Sequence, residues 1–364
     1  MKVAIVCDWL LGIGGAERVV LELHKLYPDA PIYTSQYDPK RLDWFADADV
    51  RTGWLQRLPA GLKKFLPVLR AWYFSHLDLS EYDLVISSSG AEAKAVRTRK
   101  DAVHVCYCHS PTHYYWSRYD EYLKNPGFGK FNFLARLGLR ILVAPMRRWD
   151  KHAANNPDVL LANSTHIQGE IKKYYKRDST VVFPPVDTAR FKSPEKPGQR
   201  HGFVVAGRQA PYKRIDLAIE ACNELDVPLI VIGNGPEHKK LEKLAGRRVT
   251  FLTNVSDAEM VNHFSTALGF IFPGREDFGI VAVEALAAGT PLIAYGKGGS
   301  LDFVTPKTGV LFEKQTVKSL VKALGSFNPN KYNAEYITDF AKQFSVAAFH
   351  KNMRVVIDET LRKS

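Results

Sequence analysis

Arg275-Glu276-Asp277-Phe278-Gly279-Ile280-Val281-Ala282-Val283-Glu284-Ala285-Leu286-Ala287-Ala288-Gly289-Thr290-Pro291 sets two carboxylates eight residues apart around the start of a helix. The apolar run Leu268-Gly269-Phe270-Ile271-Phe272 before it reads as a buried strand, Pro273-Gly274 ends that strand, and an Ala/Val/Leu-rich helix is expected from near Phe278. Glu276 then belongs to the loop and Glu284 to the helix, about 9 Å further along at roughly 1.5 Å of rise per residue. That is too far for both carboxylates to grip one hydroxyl pair, so they suit two parts of one long ligand. Between them, the backbone amides of Phe278, Gly279 and Ile280 open the helix, and that end of the helix dipole favours an anion such as a phosphate. A sugar, a diphosphate and a ribose in sequence fit the layout.

Outward from this segment, short apolar strands alternate with helical patterns. They run Val3 to Cys7, Asp83 to Ser87, Val103 to Cys108 and Val159 to Ala162 in the first half. In the second half they run Gly202 to Ala206, Pro228 to Ile232, Val249 to Leu252, Leu268 to Phe272 and Pro291 to Ala294. Such alternation implies parallel βαβ units, hence an α/β chain with two Rossmann-like doubly wound domains. The Pro- and charge-rich stretch from Pro184-Pro185 to Pro197-Gly198-Gln199 lacks a helical period. The expected organisation is an N-terminal domain over 1–185, a linker over 186–200 and a C-terminal domain over 201–344. Ser345 reads as a helix cap, with Phe349, Met353 and Ile357 on one face of the helix that follows.

The 364 residues, 46% of them hydrophobic, are enough for two sizeable cores. Met1-Lys2-Val3-Ala4-Ile5-Val6-Cys7 reads as a first buried strand rather than a signal peptide, and no apolar stretch is long enough to span a bilayer. A cytoplasmic protein is expected. Cys7, Cys106, Cys108 and Cys222 lack metal-ligand spacing and read as reduced core residues.

Three further segments carry chemistry. The glycines of Leu11-Gly12-Ile13-Gly14-Gly15-Ala16-Glu17-Arg18 do not make a dinucleotide fingerprint, because Glu17 stands where a third small residue is needed. Gly207-Arg208-Gln209-Ala210-Pro211-Tyr212-Lys213-Arg214-Ile215-Asp216 follows a strand and precedes a helix. Arg208 and Lys213 there are placed to meet a diphosphate, Arg through its planar fork and Lys as a compact charge. Cationic groups so fixed lower the barrier as negative charge grows on a leaving diphosphate. Arg214 is left outside this set. Finally, Cys106-Tyr107-Cys108-His109-Ser110-Pro111-Thr112-His113-Tyr114-Tyr115-Trp116 ends a first-half strand with a histidine and an aromatic cluster. His113 reads as paired within the loop.

Together these motifs resemble the retaining glycosyltransferases of the two-domain GT-B fold, the E-x7-E family known as glycosyltransferase family 4. The resemblance spans the whole chain. It implies two domains facing a central cleft, with the last helix, 345–364, returning to the N-terminal domain. It implies Glu276 at the donor hexose, Glu284 at the nucleotide ribose, Arg208 and Lys213 at the diphosphate, and His109 as an active-site group near the sugar. Gly14 and Gly15 resemble the family's opening glycine turn, at which backbone approaches the donor phosphate and the acceptor. A tight turn without ligand is the alternative for that element. His109, Glu276, Arg208 and Lys213 are thus the candidate catalytic residues. The candidate donor-binding residues are Gly14, Gly15, Arg208, Lys213, Phe278, Gly279, Ile280 and Glu284. The C-H-[ST]-P loop with Y-x-W looks most like bacterial O-antigen mannosyltransferases, which makes GDP-mannose the preferred donor and a UDP-sugar possible. Thr253-Asn254-Val255-Ser256 is expected near the base without distinguishing guanine from uracil. The implied reaction is front-face hexosyl transfer with retention, requiring no protein nucleophile and no cofactor beyond the nucleotide-sugar donor. No metal is expected, since the D-x-D at Asp47-Ala48-Asp49 lies in a polar loop.

The formal charge of +12 asks for a partner. Between Val50 and Leu77 no acid occurs, and Arg51, Arg57, Lys63, Lys64 and Arg70 alternate with Trp54, Leu55, Leu58, Leu62, Phe65, Leu66, Leu69, Trp72 and Phe74. From Tyr122 to Trp149, Lys124, Lys130, Arg136, Arg140, Arg147 and Arg148 are set among Phe128, Phe131, Phe133, Leu134, Leu137, Leu139, Ile141 and Leu142. Cations beside apolar faces suit an anionic membrane surface, so a peripheral protein on the inner leaflet with a lipid-linked saccharide or glycan acceptor is expected. No nucleic-acid module or basic tail is seen. Two other readings compete: another sugar-nucleotide enzyme of this fold, such as an epimerase or hydrolase, and an inactive basic membrane- or nucleic-acid-binding protein.

Overall fold

The computed structural model describes every residue except 60–66, 125, 127–128, 130–131, 192–199 and 364. Leu62, Lys63, Lys64, Phe65, Leu66, Phe128, Lys130 and Phe131 of the basic stripes, and most of the expected linker, therefore lie outside the described residues. The chain divides into two compact units, Met1–Phe183 with His350–Ser364, and Pro184–Phe349.

The first unit is built on β1 (Val3–Cys7), β2 (Ile32–Thr34), β3 (Val50–Thr52), β4 (Leu84–Ser89), β5 (Val103–Cys108), β6 (Val159–Ala162) and β7 (Thr180–Val181). They pair in the order β3-β2-β1-β4-β5-β6-β7, parallel throughout. All six residues of β4 and all six of β5 are buried, as a parallel strand covered on both faces requires. The second unit is built on β8 (Phe203–Ala206), β9 (Leu229–Ile232), β10 (Val249–Leu252), β11 (Gly269–Phe272), β12 (Leu292–Tyr295) and β13 (Gly309–Phe312). Their order is β10-β9-β8-β11-β12-β13, again parallel. In each sheet the strand order reverses beside the first strand, between β1 and β4 and between β8 and β11. Ligands of open α/β sheets bind outside the carboxyl ends of the strands at such a switch point.

Every strand expected from the sequence is present, with ends moved by at most two residues. Four others were not anticipated, β2, β3, β7 and β13; all are two to four residues long, too short for a burial period to register.

The last helix, Val346–Leu361, starts where Ser345 Oγ accepts the Ala348 N–H at 3.2 Å. Phe349, Met353 and Ile357 are all buried. From His350 onward the helix belongs to the first unit, and His350 Nε2 lies 2.9 Å from Glu22 on the helix Gly15–Leu26. In the described part of the linker, Val186 bridges to Ser345 and Phe191 stacks on Phe264 at 5.9 Å. All four cysteines are free and buried. Among the described residues no helix is long and apolar enough to cross a membrane.

Candidate active site

In the second unit, β8 and β11 are neighbours, so the loops leaving their carboxyl ends meet at the switch point. The first runs through Gly207 into a short 3-10 turn, Pro211–Lys213. The second carries Glu276. They are joined by one ion pair: Lys213 Nζ donates to both carboxylate oxygens of Glu276, each at 2.7 Å, with only 14% of either side chain exposed. The two residues have separate expected duties, and the 63 positions between them hide the pair from the sequence.

Packing holds both loops. Gly298 (φ +86) and Gly299 pass the Glu276 loop so closely that a Cβ on Gly298 would collide with the Glu276 carbonyl, and the Gly299 N–H donates to that same carbonyl at 2.9 Å. Gly279 takes φ +112, and a Cβ there would meet the Phe272 ring at 2.5 Å. Its left-handed conformation makes it the cap of a helix that runs Ile280–Ala287. The helix thus starts two residues later than Phe278, which moves Glu284 to about 6 Å along the axis. Phe278 anchors the loop, buried against Phe303 and Phe344 at 5.6 and 5.7 Å. Glu284 is buried on the same helix.

Arg208 is exposed, and its guanidinium forms no hydrogen bond or ion pair with another described residue. Arg214 instead grips Asp216 through Nε and Nη2, at 3.0 to 3.2 Å. Buried Gln209 donates to the Gly233 carbonyl and bonds His238 Nδ1, both at 2.7 Å, tying the loops after β8 and β9 together. No spacing rule in the sequence singles out that pair. Beyond β10, Ser256 is engaged in a reciprocal capping box with Glu259 on the helix Asp257–Ser265.

The first unit has its own cluster at the equivalent switch point. Asp8, just past β1, accepts four backbone N–H groups, from Gly90, Ala91, Glu92 and Ala93, at 2.7 to 3.0 Å. A lone Asp after a strand carries no pattern that marks it in the sequence. Gly14 caps the helix Gly15–Leu26 with φ −161, open to any residue, and a Cβ on Gly12 would meet nothing within 4 Å. A Cβ on Gly14 would meet only the flexible Glu17 carboxylate. The chain itself therefore does not demand glycine at 12 or 14.

His109 leaves β5 half-buried, with Nε2 bonded to Ser88 Oγ at 2.7 Å and its ring edge-on to Tyr107. His113 is paired within the loop, Nδ1 to Ser117 Oγ at 2.9 Å. Asp49 of the D-x-D precedes β3 and pairs with Arg51 at 2.7 Å.

The family profile described as Glycosyltransferase Family 4 matches residues 13–190, and that described as Glycosyl transferases group 1 matches residues 186–344. The chain belongs to the family 4 glycosyltransferases. Among curated relatives it is similar to the alpha-1,3/1,6-mannosyltransferase ALG2 of Mus musculus, 27% identical with 84% of this chain and 83% of that one covered. It is also similar to the GDP-Man:Man(3)GlcNAc(2)-PP-Dol alpha-1,2-mannosyltransferase of Xenopus tropicalis, 32% identical over 46% of this chain and 40% of that one. The fold matches HepE of Anabaena, solved in complex with UDP, at a TM-score of 0.70 and 18% identity over 99% and 100% of the two chains. This family 4 transferase accordingly has the GT-B fold, two Rossmann-like domains, with the candidate residues described above lying beyond the carboxyl ends of their strands.

Proposed function

We propose that the enzyme transfers mannose from GDP-mannose, with retention at the anomeric carbon, to a hydroxyl of a lipid-linked or polysaccharide acceptor in cell-envelope glycan synthesis. The Lys213–Glu276 pair at the switch point of the second sheet carries this reading. A partly buried pair next to exposed Arg208 and a helix N-terminus is a site for a diphosphate joined to a sugar. Lys213 and Arg208 stabilise the charge that develops on the β-phosphate as the anomeric C–O bond breaks. Glu276 holds the hexose, Glu284 the ribose, and the amides at Phe278, Gly279 and Ile280 the phosphates. The acceptor oxygen bonds the anomeric carbon, and its proton passes to the leaving diphosphate, so no enzyme nucleophile is needed. Gly14, whose smallness nothing in the chain requires, and its neighbour Gly15 leave room for substrate. His109, its ring fixed by Ser88, is assigned a hydrogen bond to the hexose. GDP-mannose is preferred over a UDP-sugar because the two curated relatives described above are mannosyltransferases, one of them named for GDP-Man.

The acceptor class and an inner-leaflet location rest on the first unit's surface. The helix Asn132–Ala153 buries Val143, Met146 and Asp150 on one side. On the opposite side it exposes Phe133, Leu134, Leu137 and Ile141, Phe133 by 65% and Ile141 by 63%, and Leu142 is exposed beside the buried stripe. Arg136, Arg140 and Arg148 are exposed on the same helix. A surface helix ordinarily turns its polar face outward; an apolar arc bordered by arginine suits an anionic bilayer.

The test is the product. Incubating the protein with GDP-mannose and membrane lipid extract should yield an α-mannosylated lipid, read from its anomeric proton by NMR. A β-linked product would overturn the retaining mechanism, and transfer only from a UDP-sugar would overturn the donor.

A further inference from the structure

Beneath the loop that begins at His109 lie two carboxylates with no exposed surface, Glu92 and Asp150. From Thr112 to Trp116 every second side chain reaches one of them. Thr112 Oγ1 donates to Asp150 Oδ1 at 2.9 Å, Tyr114 Oη to Glu92 Oε1 at 2.7 Å, and Trp116 Nε1 to Asp150 Oδ2 at 2.7 Å. Tyr175 Oη completes the set on Asp150 at 2.9 Å. The charges are balanced below: Lys94 pairs with Asp150 at 2.7 Å and Arg70 with Glu92 at 2.8 Å, both cations nearly fully buried. Such buried pairs add little stability over apolar packing of the same volume. A fully satisfied network does fix one geometry.

The carriers of these charges make the arrangement informative. Asp150 lies on the helix Asn132–Ala153, and Arg70 on the helix Pro67–His76. That second helix also turns apolar side chains outward, Val68, Leu69 and Trp72, with Trp72 edge-on to exposed Trp54. The two helices touch one another: Trp149 Nε1 donates to Ser75 Oγ at 3.1 Å, and Ala71 and Met146 share a buried cluster with Tyr115 of the loop. Each helix therefore presents an apolar face to the outside and a charge, on its inner side, to the loop.

We propose that Glu92 and Asp150 are positioning residues that tie the His109 loop to these two helices, so that an anionic lipid surface engaging the outer faces stiffens the loop. The proposal rests on the membrane-docking reading above. Uniting helices and loop through charged groups as well as apolar contact makes the loop geometry sensitive to small helix displacements, because hydrogen bonds weaken steeply with distance and angle.

Replacing Glu92 or Asp150 would leave Arg70 or Lys94 buried without a counter-charge and would unfold the unit. The test instead removes the loop's three donors, with Thr112→Val, Tyr114→Phe and Trp116→Phe, singly and combined. Hydrogen exchange is followed with and without vesicles of phosphatidylcholine and phosphatidylglycerol in equal parts, alongside vesicle sedimentation. In the unsubstituted protein, vesicles should protect 67–76 and 132–153 and slow exchange in 109–118 several-fold. The triple variant should still sediment with vesicles and protect both helices, while its 109–118 response disappears. Protection of the helices with no change in the loop, or a loop response that survives all three substitutions together, would overturn the coupling alone. Absence of sedimentation would overturn the docking reading and the coupling with it.

Discussion

Lys213→Ala is expected to lower kcat about a hundred- to a thousandfold, with a much smaller change in the KM for the donor. The ammonium stands 2.7 Å from each Glu276 oxygen and has three N–H donors, so it can hold the carboxylate and still offer a proton to a phosphate oxygen. Its charge matters most when the diphosphate is leaving, which is why the loss falls on turnover rather than binding. Removing one fixed donor from a developing anion costs about 3–4 kcal/mol in comparable sites. Lys213→Arg should restore part of the rate, keeping the charge but not its point geometry. Steady-state kinetics on the three proteins decide it. A Lys213→Ala enzyme within tenfold of the parent kcat would remove Lys213 from the catalytic set.

Asp8→Ala is expected to destabilise the first unit by about 3–5 kcal/mol. Four buried N–H groups lose their acceptor together, and each unmade bond to a charged group costs about 1.5–3 kcal/mol before the chain relaxes or water enters. Asp8→Asn keeps one oxygen and should lose about half as much. All six tryptophans, Trp9, Trp44, Trp54, Trp72, Trp116 and Trp149, lie in the first unit. Urea unfolding followed by tryptophan fluorescence therefore reports that unit alone, which matters in a two-unit chain where a single transition is not guaranteed. A loss under 1 kcal/mol would mean that water replaces the carboxylate at the 90–93 turn.

What the sequence disclosed follows from the range of the interactions involved. Central strands such as β5 and β11 are continuous apolar runs between breakers, so Val103–Cys108 and Gly269–Phe272 were readable locally. The last helix was equally legible, since Ser345 and the Phe349, Met353 and Ile357 stripe lie within a few turns of one another. The edge strand β3 and its neighbour β2 hold three residues each, and pairing with a neighbour rather than composition makes them strands. In the candidate site, the residue types at 208, 213, 276 and 284 were readable as a motif, but their mutual arrangement was not. The Lys213–Glu276 pair depends on β8 lying beside β11. The helix start at Ile280 depends on Gly279 adopting a positive φ against Phe272. Glu92 and Asp150 stand 58 positions apart and meet the same loop only through the fold.

The central claim is that the second unit holds a nucleotide sugar through Arg208, Lys213 and Glu276. It is tested most directly by thermal shift with GDP, UDP, ADP and their hexose conjugates, with and without magnesium, on the unsubstituted protein, Arg208→Ala and Glu276→Ala. The predicted result is a GDP-selective rise in Tm that needs no magnesium, weakened with GDP alone by Arg208→Ala and losing its extra GDP-mannose component in Glu276→Ala. A nucleotide shift of equal size in all three proteins, or none with any nucleotide, would contradict the account.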